Sequence, residues 1–228
     1  MRVGILGGTF DPPHVGHVIA AADAIDALAL DRVVLVPAHA QPLKQHSVWA
    51  TPAQRLAMTR LAAGDDERLV VTSIEIDRGG LSFTVDTLTE WARHSPDDTR
   101  FLLMGADVVR SFARWRDPIG ITRLAEIVVW QRPGTDGEDS AIGGPVGGTL
   151  ARAVADLLPR DAQGRVPVHR VVEARQVDVS STEVRARVRS GKSIHGFVPD
   201  AVRAYIRDAG LYRGRIDPEG GDAQDTDR

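Results

Sequence analysis

The sequence predicts an α/β protein built on a doubly wound parallel sheet with helices on both faces. Three observations carry this. Short runs rich in Val, Ile and Leu recur at Val3–Leu6, Val33–Val36, Leu69–Val71, Phe101–Met104, Ile127–Trp130 and Val171–Val172. Helical patterns separate them, and continuous rather than alternating apolar runs belong to strands covered on both sides. The first run ends at Gly7-Gly8, where the chain turns towards a helix, and in such sheets ligands bind at the carboxyl ends of the strands.

The first junction is the most informative. After Val3–Leu6 comes Gly7 to His17, GGTFDPPHVGH. Gly7 and Gly8 break the strand, allow backbone angles closed to other residues and let a ligand approach the main chain. Asp11-Pro12-Pro13 turns the chain, and His14 and His17, at i and i+3, face one side of the first helical turn, where N–H groups and the macrodipole favour an anion. The stretch is no Walker A loop, because no lysine and hydroxyl follow the second glycine, and the spacing of Gly4, Gly7 and Gly8 is not GxGxxG. Zinc is an alternative, but it needs His39 and His46 to complete the site.

Beyond the second strand, Pro37 to Val48 is a loop in which Lys44 is the only cation that stays charged throughout the neutral range. Thr51-Pro52-Ala53-Gln54 has capping-box spacing with proline at the first helical position. Pro133 to Gly148, PGTDGEDSAIGGPVGG, lacks periodicity and reads as a surface loop or lid. Ser180-Ser181-Thr182-Glu183-Val184-Arg185 is a second capping box, with Arg185 one turn into the helix on the face of Ser181 and Thr182. Taken alone it is a well-capped helix with a surface arginine. Beside the first motif it is a second anion site, suited to the outer phosphates of a triphosphate, provided the fold brings the two together. Pro199 opens a last helix ending at Gly210.

Whole-chain properties set the limits. The 228 residues include 43% hydrophobic and 26% charged side chains, enough for one domain over residues 1–213 with a helical part over about 180–213. Asp217 to Arg228 hold five acids and one arginine, a net of −4, so the −3 of the chain leaves +1 on the preceding 216 residues. A nearly neutral body argues against nucleic acid as a partner. Residues 214–228 read as a disordered acidic tail. No stretch approaches the ~18 apolar residues of a membrane span, so no membrane partner is expected and a cytoplasmic location is the default. The absence of cysteine excludes disulfides and thiolate chemistry. The oligomeric state, a homo-oligomer included, stays open.

GTFDPPHVGH resembles the signature of the HxGH nucleotidyltransferase superfamily, and Ser180 to Arg185 resembles its SSTxxR motif. That resemblance implies a Rossmann-like sheet and transfer of a nucleotidyl group from a nucleoside triphosphate to a phosphate-bearing acceptor, with loss of pyrophosphate. Arg78 to Leu88, RGGLSFTVDTL, is similar to a segment of the bacterial nicotinate mononucleotide adenylyltransferases. Met104-Gly105-Ala106-Asp107, Trp115, Arg132-Pro133-Gly134 and the closing VPDAVRAYIRDAGLY match that family in kind and order.

The family implies ATP and nicotinate mononucleotide as substrates, with Mg²⁺ carried on the ATP phosphates and no metal ligands from the protein. It implies catalytic roles for His14, His17, Lys44 and Arg185, and nucleotide contacts from Gly7, Gly8, Thr9, Phe10, Gly105, Asp107, Ser180, Ser181 and Thr182. The acceptor would meet Lys44, Phe83, Thr84, Trp115, Arg116 and Arg132. A flat indole at Trp115 suits a pyridine ring, and backbone amides near Phe83-Thr84 together with Arg116 suit its carboxylate. Two departures stand out: Gln41-Pro42-Leu43-Lys44 replaces a PPHK-like end, and Phe83 replaces tyrosine. Phosphopantetheine adenylyl transfer, or a nucleotide sensor without turnover, are the rival readings.

Overall fold

The computed structural model describes residues 1–42, 48–131, 155–156, 158–160, 162–165, 167, 169–173, 175 and 177–214. Six strands form one sheet: β1 (Arg2–Gly8), β2 (Arg32–Pro37), β3 (Leu69–Val71), β4 (Thr99–Gly105), β5 (Glu126–Gln131) and β6 (His169–Glu173). Their spatial order is β3-β2-β1-β4-β5-β6, and every pair is parallel. Strand order therefore reverses between β1 and β4, which places a ligand crevice at the carboxyl end of β1. All six strands stand where apolar runs predict them.

Alternation along each strand sends side chains to opposite faces. Val3 and Ile5 of β1, Val34 and Val36 of β2, and Leu102 and Met104 of β4 form one apolar cluster. Helix α4 (Thr84–His94) and helix α6 (Pro118–Leu124) close it with Leu88 and Ile121. Leu6, Val33, Leu35, Phe101 and Leu103 face the other way, where α1 (Val15–Leu28) packs Ala21, Ala24, Ile25 and Leu28.

A third cluster is separate from the sheet. Met58 and Ala62 of α2 (Pro52–Ala63) pack with Val184 of α7 (Ser181–Arg189) and with Val202 and Ile206 of α8 (Asp200–Asp208). The helical C-terminal part thus sits against α2, beside the β1 loop. Two short helices, α3 (Ile74–Arg78) and α5 (Ala106–Val109), follow β3 and β4.

The expected cap of α2 is present: Gln54 N–H donates to Thr51 Oγ1 at 3.2 Å and Thr51 N–H to Gln54 Oε1 at 2.9 Å. Helix α8 begins one residue after Pro199, and Gly210 follows its end with φ 61°. No helix among the described residues is long and apolar enough to cross a membrane. The stretch Pro133 to Gly148 and the acidic tail from residue 215 onward lie outside the described residues.

Candidate active site at the carboxyl end of the first strand

The β1 loop departs from the sequence expectation in one respect. Gly7 and Gly8 do not break the strand; β1 runs through both, and neither has positive φ. The unusual backbone belongs to Phe10, at φ 52°, a conformation held by a ring only 2% exposed. The glycines matter for space. A Cβ on Gly7 would meet nothing within 4 Å, so the strand end is open there, whereas one on Gly8 would stand 3.0 Å from the Phe10 ring.

Phe10 in turn meets His17 edge-on, at 5.0 Å between ring centroids. His14 is the N-cap of α1, and its ring lies 3.7 Å from that of His17. The His14 N–H donates to His17 Nδ1 at 3.1 Å. Burial lowers the His14 pKa to about 4, and burial together with the neighbouring His14 lowers that of His17 well below its usual value. Both rings are therefore neutral at neutral pH. With Nδ1 of His17 accepting, its single proton sits on Nε2, where it can donate to an anionic oxygen.

Gly16 makes room for this pair, since a Cβ there would lie 3.0 Å from His14 Nδ1 and 3.1 Å from Cε1. Gly16→Ala is expected to push the His14 ring by a few tenths of an ångström and lower kcat about tenfold at near-parent thermal stability. Steady-state kinetics and a melting curve check this.

The lowered imidazole values also set a pH dependence. Between pH 6.5 and about 4 the unfolded chain protonates His14 while the folded chain does not. The unfolded state then binds more protons, so the His14 contribution to stability rises with pH across that window and is lost as pH falls. Urea unfolding from pH 4 to 7 should show a slope that shrinks in His14→Gln; an unchanged slope refutes the assignment.

The second predicted segment does reach the first. Ser181 Oγ donates to the Pro12 carbonyl oxygen at 2.8 Å, and Arg185 Nη1 donates to that of Asp11 at 2.8 Å. Ser180 caps α7, accepting from Glu183 N–H at 3.1 Å. Arg185 is 5% exposed, so the surface-arginine reading is wrong. Its guanidinium also donates to Thr182 Oγ1 at 3.2 Å and lies 5.9 Å from the Trp49 ring centroid. The first amide of α1, Val15 N–H, donates to the Phe197 carbonyl oxygen at 3.0 Å, which removes it from anion binding.

Two groups that sequence reading passes over tie the loop down. Asp11, 2% exposed, accepts from Trp49 N–H at 2.6 Å, Ala50 N–H at 3.1 Å and Tyr212 O–H at 2.8 Å. Arg55, on α2, donates to the Thr9 carbonyl oxygen at 2.8 Å. Three carbonyls of the loop, those of Thr9, Asp11 and Pro12, are thus each held by a side chain from elsewhere. Oxygen dipoles that would repel an anion are satisfied by protein donors.

Of the residues expected to meet an acceptor, Phe83 and Thr84 stand at the start of α4, and Trp115 and Arg116 just before α6. Phe83 is the N-cap of α4 and Thr84 its first residue. Arg116 Cζ sits 4.8 Å from the Phe83 ring centroid, and Arg116 Nη1 is 3.2 Å from Asp86 Oδ2. Arg116 is thus engaged with a carboxylate at the surface. Trp115 is half-buried against the core and donates from Nε1 to Ser111 Oγ at 3.1 Å. Gly105 is the N-cap of the four-residue α5, which includes Asp107.

Lys44, Arg132 and His46 lie outside the described residues. His39, the other histidine a zinc site would need, has Nδ1 at 2.9 Å from the Gly80 carbonyl oxygen. A cleft of about 560 Å³ lies away from the β1 loop, lined by α3 and α4 residues such as Arg78, Glu90 and His94.

Comparison with known proteins adds four likenesses. The profile of the cytidylyltransferase-like family matches residues 5–187. A Gemmatimonas aurantiaca protein named probable nicotinate-nucleotide adenylyltransferase is 44% identical over 214 residues, 93% of each chain. A Thermus thermophilus protein of the same name is 39% identical over 214 residues, 93% of this chain and 100% of its own. Among solved structures, Plasmodium falciparum nicotinic acid mononucleotide adenylyltransferase complexed with NaAD superposes with a TM-score of 0.70. That match covers 92% of this chain and 97% of the other at 16% identity, and it speaks to the fold alone.

Proposed function

Because the chain belongs to the cytidylyltransferase-like family, among the nicotinate-nucleotide adenylyltransferases, we propose that it transfers the adenylyl group of ATP to nicotinate mononucleotide. It is a nucleotidyltransferase, and its products are nicotinate adenine dinucleotide and pyrophosphate, a step of NAD biosynthesis. The reading rests chiefly on the meeting of the His14–His17 pair and the hydroxyl-rich tip of α7 at one loop.

A phosphate oxygen of the mononucleotide forms a bond to the α-phosphorus of ATP, and the bond from that phosphorus to the bridging oxygen breaks. Pyrophosphate leaves with the electron pair. The acceptor phosphate is a competent nucleophile at neutral pH, so no general base is required and catalysis reduces to alignment and charge stabilisation. His17 Nε2–H donates to the transferring phosphoryl oxygens, with His14 beside it. Ser181, Thr182 and Arg185 would serve the outer phosphates, and Lys44 would screen the triphosphate. Gly7 leaves room for the nucleotide, Gly8 makes room for the Phe10 ring, and Gly105 and Asp107 would serve the ribose. Trp115, Thr84 and Arg132 serve the acceptor.

Mg²⁺ would be carried on the ATP phosphates, which suit a hard cation that keeps several waters. When bound, that ion neutralises phosphate charge.

Backbone N–H groups at the tip of α4 would donate to both oxygens of a carboxylate, whereas the NH₂ of an amide would face one of them without an acceptor. A buried donor so stranded costs about 1–3 kcal/mol, so kcat/KM should favour nicotinate over nicotinamide mononucleotide by about tenfold or more. Equal values overturn the carboxylate assignment. Incubation with MgATP and nicotinate mononucleotide should release pyrophosphate, whereas binding without release would identify a nucleotide sensor instead.

A further inference from the structure

Arg55 is only 1% exposed, on a helix that otherwise buries Met58, Thr59, Ala62 and Ala63. Its guanidinium donates to three carbonyl oxygens: Thr9 at 2.8 Å, His39 at 2.8 Å and Ala50 at 3.3 Å. Thr9 belongs to the β1 loop that leads to the histidines. His39 belongs to the loop after β2, and that loop is zipped to the segment just before α4. His39 N–H donates to Ser82 Oγ at 2.9 Å, and Ser82 N–H donates to the Ala40 carbonyl oxygen at 2.9 Å. Phe83 and Thr84 follow immediately.

A buried guanidinium is expensive, and burial lowers the pKa of this one, opposed by the charges of Asp11 and Glu75. An apolar side chain of similar volume would fill the same space at lower cost. What only arginine supplies is a planar fork that holds two acceptors at a fixed separation; a lysine is a point charge that cannot match both.

We propose that Arg55 is a positioning residue that fixes the separation between the nucleotide loop at Thr9 and the acceptor-side loop at His39, and so sets the in-line approach of the two substrates. This rests on the adenylyl-transfer reading. A group with that role should be nearly silent in the binding of either substrate alone and decisive when both must align.

The test is Arg55→Lys. Its kcat should fall about 10²-fold, the cost of misplacing reactants by an ångström. The Kd for MgATP and the Kd for nicotinate mononucleotide, each measured singly, should stay within about threefold of the parent. A kcat within about threefold of the parent, or losses in each Kd that match the loss in kcat, overturns the proposal while leaving the function standing. A parent protein that forms no dinucleotide in the same assay overturns the function itself.

Should the variant fail to fold, hydrogen exchange on the parent decides. MgATP alone should slow exchange of the Ser82 amide by about threefold or more, because the acceptor-side loop is clamped to the nucleotide loop. Unchanged exchange at Ser82 refutes the link.

Discussion

His17→Ala is expected to lower kcat for dinucleotide formation by about two to three orders of magnitude while the melting temperature stays close to that of the parent. His17 is neutral, its Nδ1 is occupied by the His14 amide, and its Nε2 proton is aimed by that bond and by the edge of Phe10. A fixed neutral donor needs no reorganisation as charge shifts onto the phosphoryl oxygens, and removing one such donor costs about 2.7–4 kcal/mol of transition-state stabilisation. The side chain is half-buried rather than part of the core, so its loss leaves the sheet clusters untouched. Rapid-quench measurement of a single turnover separates chemistry from product release. Turnover near the parent value would remove the imidazole from the mechanism.

Asp11→Ala should be the most destabilising single change at the site, at about 3–5 kcal/mol in urea unfolding. The carboxylate is the shared acceptor for Trp49 N–H, Ala50 N–H and Tyr212 O–H, and its charge offsets the buried Arg55. Deleting it strands three donors and leaves a buried cation less compensated. Such a loss is a large part of the 5–15 kcal/mol that holds a domain together. A change under about 1 kcal/mol would mean that water replaces the carboxylate and that the cluster is not cooperative.

The sheet is legible in the sequence because strands covered on both faces need unbroken apolar runs, and six such runs became six strands. The cap at Thr51 and the pairing of His14 with His17 are legible for the same reason: the interaction is local, within four residues. The groups that fix the β1 loop are not local. Asp11 reads as a turn residue and Tyr212 as the end of a helical tail, yet they meet across 201 positions of sequence. Arg55 did leave a trace, because Arg55, Met58, Thr59 and Ala62 form a single stripe at helical spacing. A cation on an apolar stripe is a buried cation with partners. Arg185, three residues before the partly buried Val188, is the second buried arginine. Gly7 and Gly8 mislead in the opposite direction, since glycine after a strand signals backbone freedom when here Gly7 leaves open space and Gly8 admits the Phe10 ring at the end of an ordinary strand.

The grip of Ser181 and Arg185 on Pro12 and Asp11, and of Phe197 on Val15, bears on how the protein is made. A ribosome releases the histidine loop before its clasps, about ten seconds or more apart at ordinary elongation rates. Until those helices emerge, the nascent chain holds its reactive loop without the groups that shape it.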